Sequence, residues 1–260
     1  MAVHRLDLEA SIRFDMGPIS GGRWHVGSGF RTAGVDRMVR RFPGRTGVPF
    51  IPGSQIRGVL RNQCERLLVA LGGEYSDPHG VLPADGTPWA LETFKPLRDL
   101  PKRVVVDRLF GTRYDGERLF VSNAFPEQPA GGSGAGWQTD AVTRTSMDRL
   151  LGIVAEGKLF TTEVVSSTVP YRFTLRGRHR SDELTVLEGY RYPVEYALLI
   201  AGLLTLDSIG ADRSAGFGWC TVSVDRMTYQ GEPVEVEEVV RFLRETGREY
   251  VEYLETFGDG

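Results

Sequence analysis

Two stretches of this chain carry both a start and a stop for a helix, and the segments around them alternate like strands. "IPGSQIRGVLRNQCERLLVALGG" (51–73) puts Ile56, Val59, Leu60, Cys64, Leu67, Leu68 and Leu71 on one face at 3.6 spacing, and Gly72-Gly73 stops it. Ser54 is the expected N-cap, because its hydroxyl suits a free amide of the first turn. "PVEYALLIAGLLTLDSIG" (193–210) opens with proline in its first turn and closes at glycine. By contrast, "VHRLDLEASIRF" (3–14) and "YRFTLRGR" (171–178) alternate apolar and polar residues, the period of half-buried strands. "VVVDRLFGT" (104–112) and "ERLFVSNAF" (117–125) read as a short helix or turn followed by a strand, and another strand follows the glycine-rich "GADRSAGFGW". Strand, helix, strand, strand, helix, strand is the order of a ferredoxin-like (RRM-like) α+β domain, with an antiparallel sheet and both helices on one face.

The remaining segments decorate that frame. "WHVGSG" (24–29) reads as the end of a short strand running into a glycine loop. Residues 74–102 are loop-rich, and "PEQPAGGSGAG" (126–136) is a flexible connection. "TRTSMDRLLGIVAEGKLFTTEVV" (143–165) looks like an arm, a turn followed by a strand from Lys158. The expected organisation is one domain over 1–230, with an insertion at about 126–170, and an acidic tail over 231–260 with helical spacing and a break at Gly247.

Composition narrows the class. The 260 residues suit one large domain or two small ones sharing a core. The start has no apolar stretch like that of a signal peptide, and "YALLIAGLLTL" (196–206) is too short to span a bilayer, so a cytoplasmic protein is expected. Cys64 and Cys220 sit among apolar residues and read as reduced core thiols. The four histidines are scattered, and no Cys/His spacing fits zinc.

Charge is segregated. The net charge is -3, yet residues 231–260 hold nine acidic and three basic residues, while Arg31 to Arg66 hold eight basic and two acidic ones. A basic face can therefore coexist with an acidic whole. Arg57 and Arg61 lie four apart, on one face near the start of the first helix. Positive side chains oppose the helix dipole there, unless an anion sits between them. The bland reading is a solvated helix face. The alternative is a phosphate contact.

"IPGSQIRGVLR", "RLFGT", "DRLLGIVAEGKLFTTEVV" and "GADRSAGFGW" stand in the order seen in the RAMP superfamily of CRISPR proteins, and the chain resembles that family over about 24–222. Its nearest likeness is to the backbone subunits of type III effector complexes. The resemblance implies a ferredoxin-like RAMP fold with an extended thumb-like hairpin. It also implies partners: CRISPR RNA, a single-stranded target RNA, other effector subunits and copies of the chain itself, with no membrane.

It further implies roles for residues. The family's cleaving subunits carry an aspartate between the first strand and the "PGS" helix, and "GVDRMVRR" puts Asp36 there. Asp36 would hold a hydrated Mg²⁺ or another divalent cation and make the chain a metal-dependent endoribonuclease. The run "RMVRR" after it is more basic than the family's usual sequence. His25 in "WHVGSG" matches a family histidine, read either as structural or as a general base. Implied RNA contacts are Arg31, Arg37, Arg40, Ser54, Gln55, Arg57, Arg61, Met147, Arg149, Arg213, Ser214, Gly216 and Gly218. Met147, Arg149, Leu150 and Leu151 belong to the thumb. Gly216 and Gly218 either meet a turn's need for positive φ or let the RNA backbone approach. Phe217 and Trp219 read first as core and second as a stacking platform. The rival readings are a scaffold subunit with a spectator aspartate and a CRISPR RNA-processing endonuclease. A small-molecule enzyme on this fold finds no cofactor loop or acid–base pair in support.

Overall fold

The computed structural model describes residues 3–44, 47–73, 105–111, 116, 118–128, 136–147, 154–241 and 244–245. The alternating segment at the start is strand β1 (Val3–Phe14), with Leu6, Leu8, Ala10, Ile12 and Phe14 buried and Arg5, Glu9 and Arg13 exposed. Its period of two comes from the pleat, which sends successive side chains to opposite faces. β1 is the centre of an antiparallel sheet. It pairs with β7 (Tyr171–Arg180) on one side and β8 (Cys220–Tyr229) on the other. β3 (Leu119–Val121) and β4 (Phe125–Pro126) line the far edge of β7, and β9 (Glu232–Pro233) pairs with β8. Across β3, β7, β1 and β8 the strands rank second, third, first and fourth along the chain, which is the ferredoxin order.

Helix α1 (Gly53–Ala70) and helix α3 (Val194–Leu204) pack together over one face of this sheet, and Val105–Phe110 forms the short helix α2 beside them. On α1, Ile56, Leu60, Cys64 and Leu68 are buried, with Val59, Leu67 and Leu71 packed at the margin. The expected cap is corrected. Pro52, not Ser54, occupies the N-cap, and no side chain of α1 caps the helix. The Gly53 amide instead donates to Asn123 Oδ1 at 2.9 Å, so the cap arrives from the β3–β4 turn. A side chain at Gly53 would collide with the Val121 carbonyl, and the glycine lets the helix start directly on the strand end. Likewise Pro193 is the N-cap of α3 rather than part of its first turn, and α3 ends at Thr205. Both cysteines are buried free thiols. Burial pushes the Cys220 thiol up to about 12 and Cys64 higher still, which keeps both inert.

A second, three-stranded sheet carries the arm. β5 (Trp137–Met147) and β6 (Val154–Ser167) form a long hairpin inserted between β4 and β7, and β2 (Arg23–Trp24) pairs with the base of β6. The strand starts at Val154 rather than Lys158, and its partner β5, the other half of the hairpin that the resemblance implies, has no strand reading of its own in the sequence. The reason is physical: between Gln138 and Thr145 no residue of β5 is buried, so the strand had no need of an apolar face. The two sheets are joined by Trp24, Phe14 and Tyr171, whose rings lie 5.3–5.8 Å apart. The loop-rich 74–102, most of the 126–136 connection, the arm tip with Arg149, Leu150 and Leu151, and the tail from 246 lie outside the described residues. The start of the tail does not: Val234 and Val239 are buried, and residues 236–241 are helical.

Candidate functional site

The basic stretch folds into a narrow loop lying against the arm. Gly27 bridges Val39, Ser28 N donates to the Met38 carbonyl at 2.9 Å, and Arg40 N donates to the Val26 carbonyl at 2.8 Å. The tip between them is open, with Phe30 75% exposed and Arg31 exposed beside it. The far side of the loop then runs parallel to β6. Asp36 N donates to the Thr161 carbonyl (2.9 Å), and Glu163 N donates to the Arg37 carbonyl (2.9 Å). The Glu163 carboxylate closes the seam, accepting from Val39 N at 2.9 Å and pairing with Arg41. Backbone pairing of this kind fixes a loop that has few apolar residues of its own.

Asp36 sits on that seam. Its carboxylate is exposed, and Oδ2 accepts from the Thr161 amide at 2.8 Å, so one oxygen is anchored while the other faces solvent. Among the described residues no group of three His, Cys, Asp or Glu side chains is placed to hold a metal ion. A cation here would rest on Asp36 and water. That suits Mg²⁺, which keeps much of its hydration shell. His25 is only 2% exposed. Its Nδ1 donates to the Glu163 carbonyl at 2.7 Å, and its own carbonyl accepts from Ala211 N at 2.9 Å. His25 is a strut: its ring holds β6, and its backbone carbonyl holds the glycine-rich loop.

The arginines divide into two groups. Arg57 and Arg61 turn inward: Arg57 donates to the Phe110 carbonyl, and Arg61 donates to the Gly111 carbonyl (2.9 Å) while pairing with Glu65 (2.9 Å) and Asp107. Buried carboxylates and the carbonyl end of α2 therefore supply the anionic partner that the helix start called for. Ser54 is exposed and Gln55 half-buried at the same helix start. The second group gathers where loop, arm and glycine-rich loop meet. Arg31 and Arg40 are exposed on the loop. Arg37 pairs with Asp212 at 3.3 Å, Arg144 of β5 pairs with the same carboxylate at 3.6 Å, and Arg144 lies 4.3 Å from the centre of the Phe217 ring.

The glycine-rich loop is a tight turn around residues 213–215, a single 3₁₀ turn. Gly216 and Gly218 have φ of +85° and +76° and are buried. Side chains there would strike Ile19 and the Ile209 carbonyl, so the close approach they permit is to the chain's own backbone. Arg213 and Ser214 are exposed on the turn. Phe217 is core, as first read, whereas Trp219 is 48% exposed with its indole N–H on the Arg213 carbonyl. Met147 closes β5 at the near side of the arm tip.

Arg144, Thr161, Glu163 and Asp212 were not anticipated. Arg144 sat in a strand without an apolar signature. Thr161 contributes through its backbone. Asp212 has the wrong sign for a phosphate loop and attracts notice only once its two guanidinium partners are seen.

An antiparallel ferredoxin-like sheet with a long inserted hairpin, and arginines collected where hairpin, basic loop and glycine turn meet, defines a class of α+β protein with a polyanion-compatible face. Within it the assignment is specific: the family model of the RAMP superfamily matches residues 22–221, and the chain belongs to that superfamily. No curated protein matches it in sequence. Among solved structures it matches a chain from a cryo-EM structure of the type III-B Cmr-beta complex bound to cognate target RNA, with a TM-score of 0.49 and 14% identity. That match covers 87% of this chain and 60% of the other.

Proposed function

We propose that this chain is a subunit of a type III CRISPR effector that holds CRISPR RNA along its basic face, beside other effector subunits and copies of itself, and cuts the paired target RNA at Asp36. The observation that carries this reading is the seam between loop and arm. It presents an exposed carboxylate, anchored by one oxygen, next to Arg37 and within a loop that also exposes Arg31 and Arg40. Sequence would be read by base pairing between the RNAs, so the protein needs phosphate contacts rather than base contacts.

Asp36 is the residue that would hold Mg²⁺, through its open oxygen and water. When bound, the ion would supply positive charge at the scissile phosphate. The chain's own residues do the rest. Thr161 fixes the carboxylate through its amide, Arg37 offsets charge that builds on the phosphate, and Arg31 and Arg40 hold the flanking backbone. The RNA brings its own nucleophile, the 2′-hydroxyl, so the site needs no nucleophilic side chain.

A second reading, a scaffold subunit that binds RNA without cutting it, is favoured by one observation: Asp36 already serves the fold through its bond to Thr161. Asp36→Asn separates the two, because an amide oxygen keeps that bond and loses the charge. With guide RNA, labelled complementary RNA and Mg²⁺, the cutting reading expects regular cleavage by the wild type. It also expects loss of cleavage in the variant and in EDTA, with target binding retained. Equal cleavage by Asp36→Asn, or none by the wild type, leaves the scaffold.

A further inference from the structure

The chain places one acidic side chain at the centre of its most basic junction. Asp212 is held by the backbone around it. Its carbonyl accepts from Ala215 N at 2.9 Å, and its neighbour Ala211 is tied to the His25 carbonyl. Its φ of +59° is left-handed, a conformation that aspartate and asparagine tolerate better than most residues. From this fixed point its carboxylate reaches Arg37 Nη1 at 3.3 Å and Arg144 Nη1 at 3.6 Å.

Those two arginines come from different elements. Arg37 is on the loop, bonded by its backbone to Thr161 and Glu163 of β6, and Arg144 is on β5, opposite Phe160. Aromatic rings confine them further: Arg37 lies 5.1 Å from the centre of the Phe160 ring, and Arg144 shares Phe217 with Arg23, at 4.3 and 5.2 Å. A single carboxylate balances only one of the two guanidiniums. Each meets Asp212 through one nitrogen, which leaves further N–H donors, and Arg37 remains 48% exposed.

We propose that Asp212 is a positioning residue that aims Arg37 and Arg144 together at one RNA phosphate, and that Arg144 is an RNA contact on the β5 strand of the arm. The proposal rests on the RNA-binding reading above. An unrestrained arginine loses much rotamer freedom on binding, and Asp212 removes that freedom beforehand. The same carboxylate keeps loop, arm and glycine turn in one register, so the phosphate site exists before RNA arrives.

The test turns on sign. Charge alone says that Asp212→Asn, which removes a negative charge beside bound phosphate, tightens binding. Positioning says that it weakens binding. Asparagine tolerates the left-handed backbone, so the variant should fold, and its thermal melt checks this. Binding of the full-length chain to a labelled, unstructured single-stranded RNA is measured by fluorescence anisotropy across a salt series. The expected result for Asp212→Asn is roughly two- to tenfold weaker binding, the worth of ordering a long side chain or two. Arg144→Ala should weaken binding at all salts and flatten the log–log salt slope by about 0.7. In an Arg37→Ala/Arg144→Ala background, Asp212→Asn should lose its weakening effect or reverse it, because there is nothing left to aim. Equal or tighter binding by Asp212→Asn alone, with the wild type bound, overturns this proposal and leaves the RNA reading standing. No binding by the wild type overturns both.

Discussion

Single residues here carry consequences that their chemistry alone does not announce. His179 is fully buried between sheet and helices. Its Nε2 donates to the Leu109 carbonyl at 2.9 Å, and its Nδ1 shares a 2.9 Å hydrogen bond with the Tyr196 hydroxyl. Burial holds its pKa below the ordinary 6.5. The unfolded chain therefore binds a proton there at a higher pH than the folded chain does. The stability this ring contributes is complete above pH 6.5 and is lost as pH falls from there through the folded value. Urea midpoints should drop over that window, and His179→Phe should reduce the drop. A weaker slope remains, because burial also lowers the pKa of His4 beside Tyr229. Gly53 offers a second test. Its Cβ in Gly53→Ala would meet the Val121 and Ser122 backbone, which cannot swing aside, so about 2 kcal/mol of destabilisation is expected from chemical unfolding.

Elements are joined by polar clamps as much as by the core. Arg61 ties α1 to α2, with its guanidinium shared among Glu65, Asp107 and the Gly111 carbonyl. Arg61→Ala would leave two buried carboxylates without that cation. About 3 kcal/mol of lost stability is the expected scale, read from the urea midpoint. Any loss of RNA binding in that variant reports the fold before it reports a contact. Asn123 performs the corresponding service at the first residue of α1, and Asn123→Ala should cost about 1 kcal/mol, the usual worth of a helix cap. From sequence, Arg57 and Arg61 looked like a phosphate site and Ser54 like the cap. Both readings used sound local physics. Local physics has no view of the Asn123 side chain or of the carbonyl end of α2, which come from elsewhere in the chain.

At the scale of the molecule, charge separation is the property to measure. The described loop exposes Arg31, Arg37 and Arg40, while the acidic residues concentrate after residue 231. RNA affinity should therefore fall steeply with salt despite the negative net charge. The log–log slope should flatten by about 0.7 for each phosphate contact removed. Replacing Arg31, Arg37 and Arg40 together should bring it down by about 2 on that basis. An unchanged slope would place the RNA on another face.

The order of the ferredoxin-like elements, the buried face of α1, the alternation of β1 and β7 and the basic character of residues 31–66 were all determined by sequence alone, because periodicity, punctuation and charge are written locally. The tertiary structure decided which of those arginines are spent inside the protein. It also decided that β5 is a strand without an apolar face, that His25 is a strut, and that Asp36 meets Thr161 and Asp212 meets Arg37 and Arg144. Each of those outcomes is a contact between residues far apart in the chain, and such a contact leaves no periodic trace in one sequence.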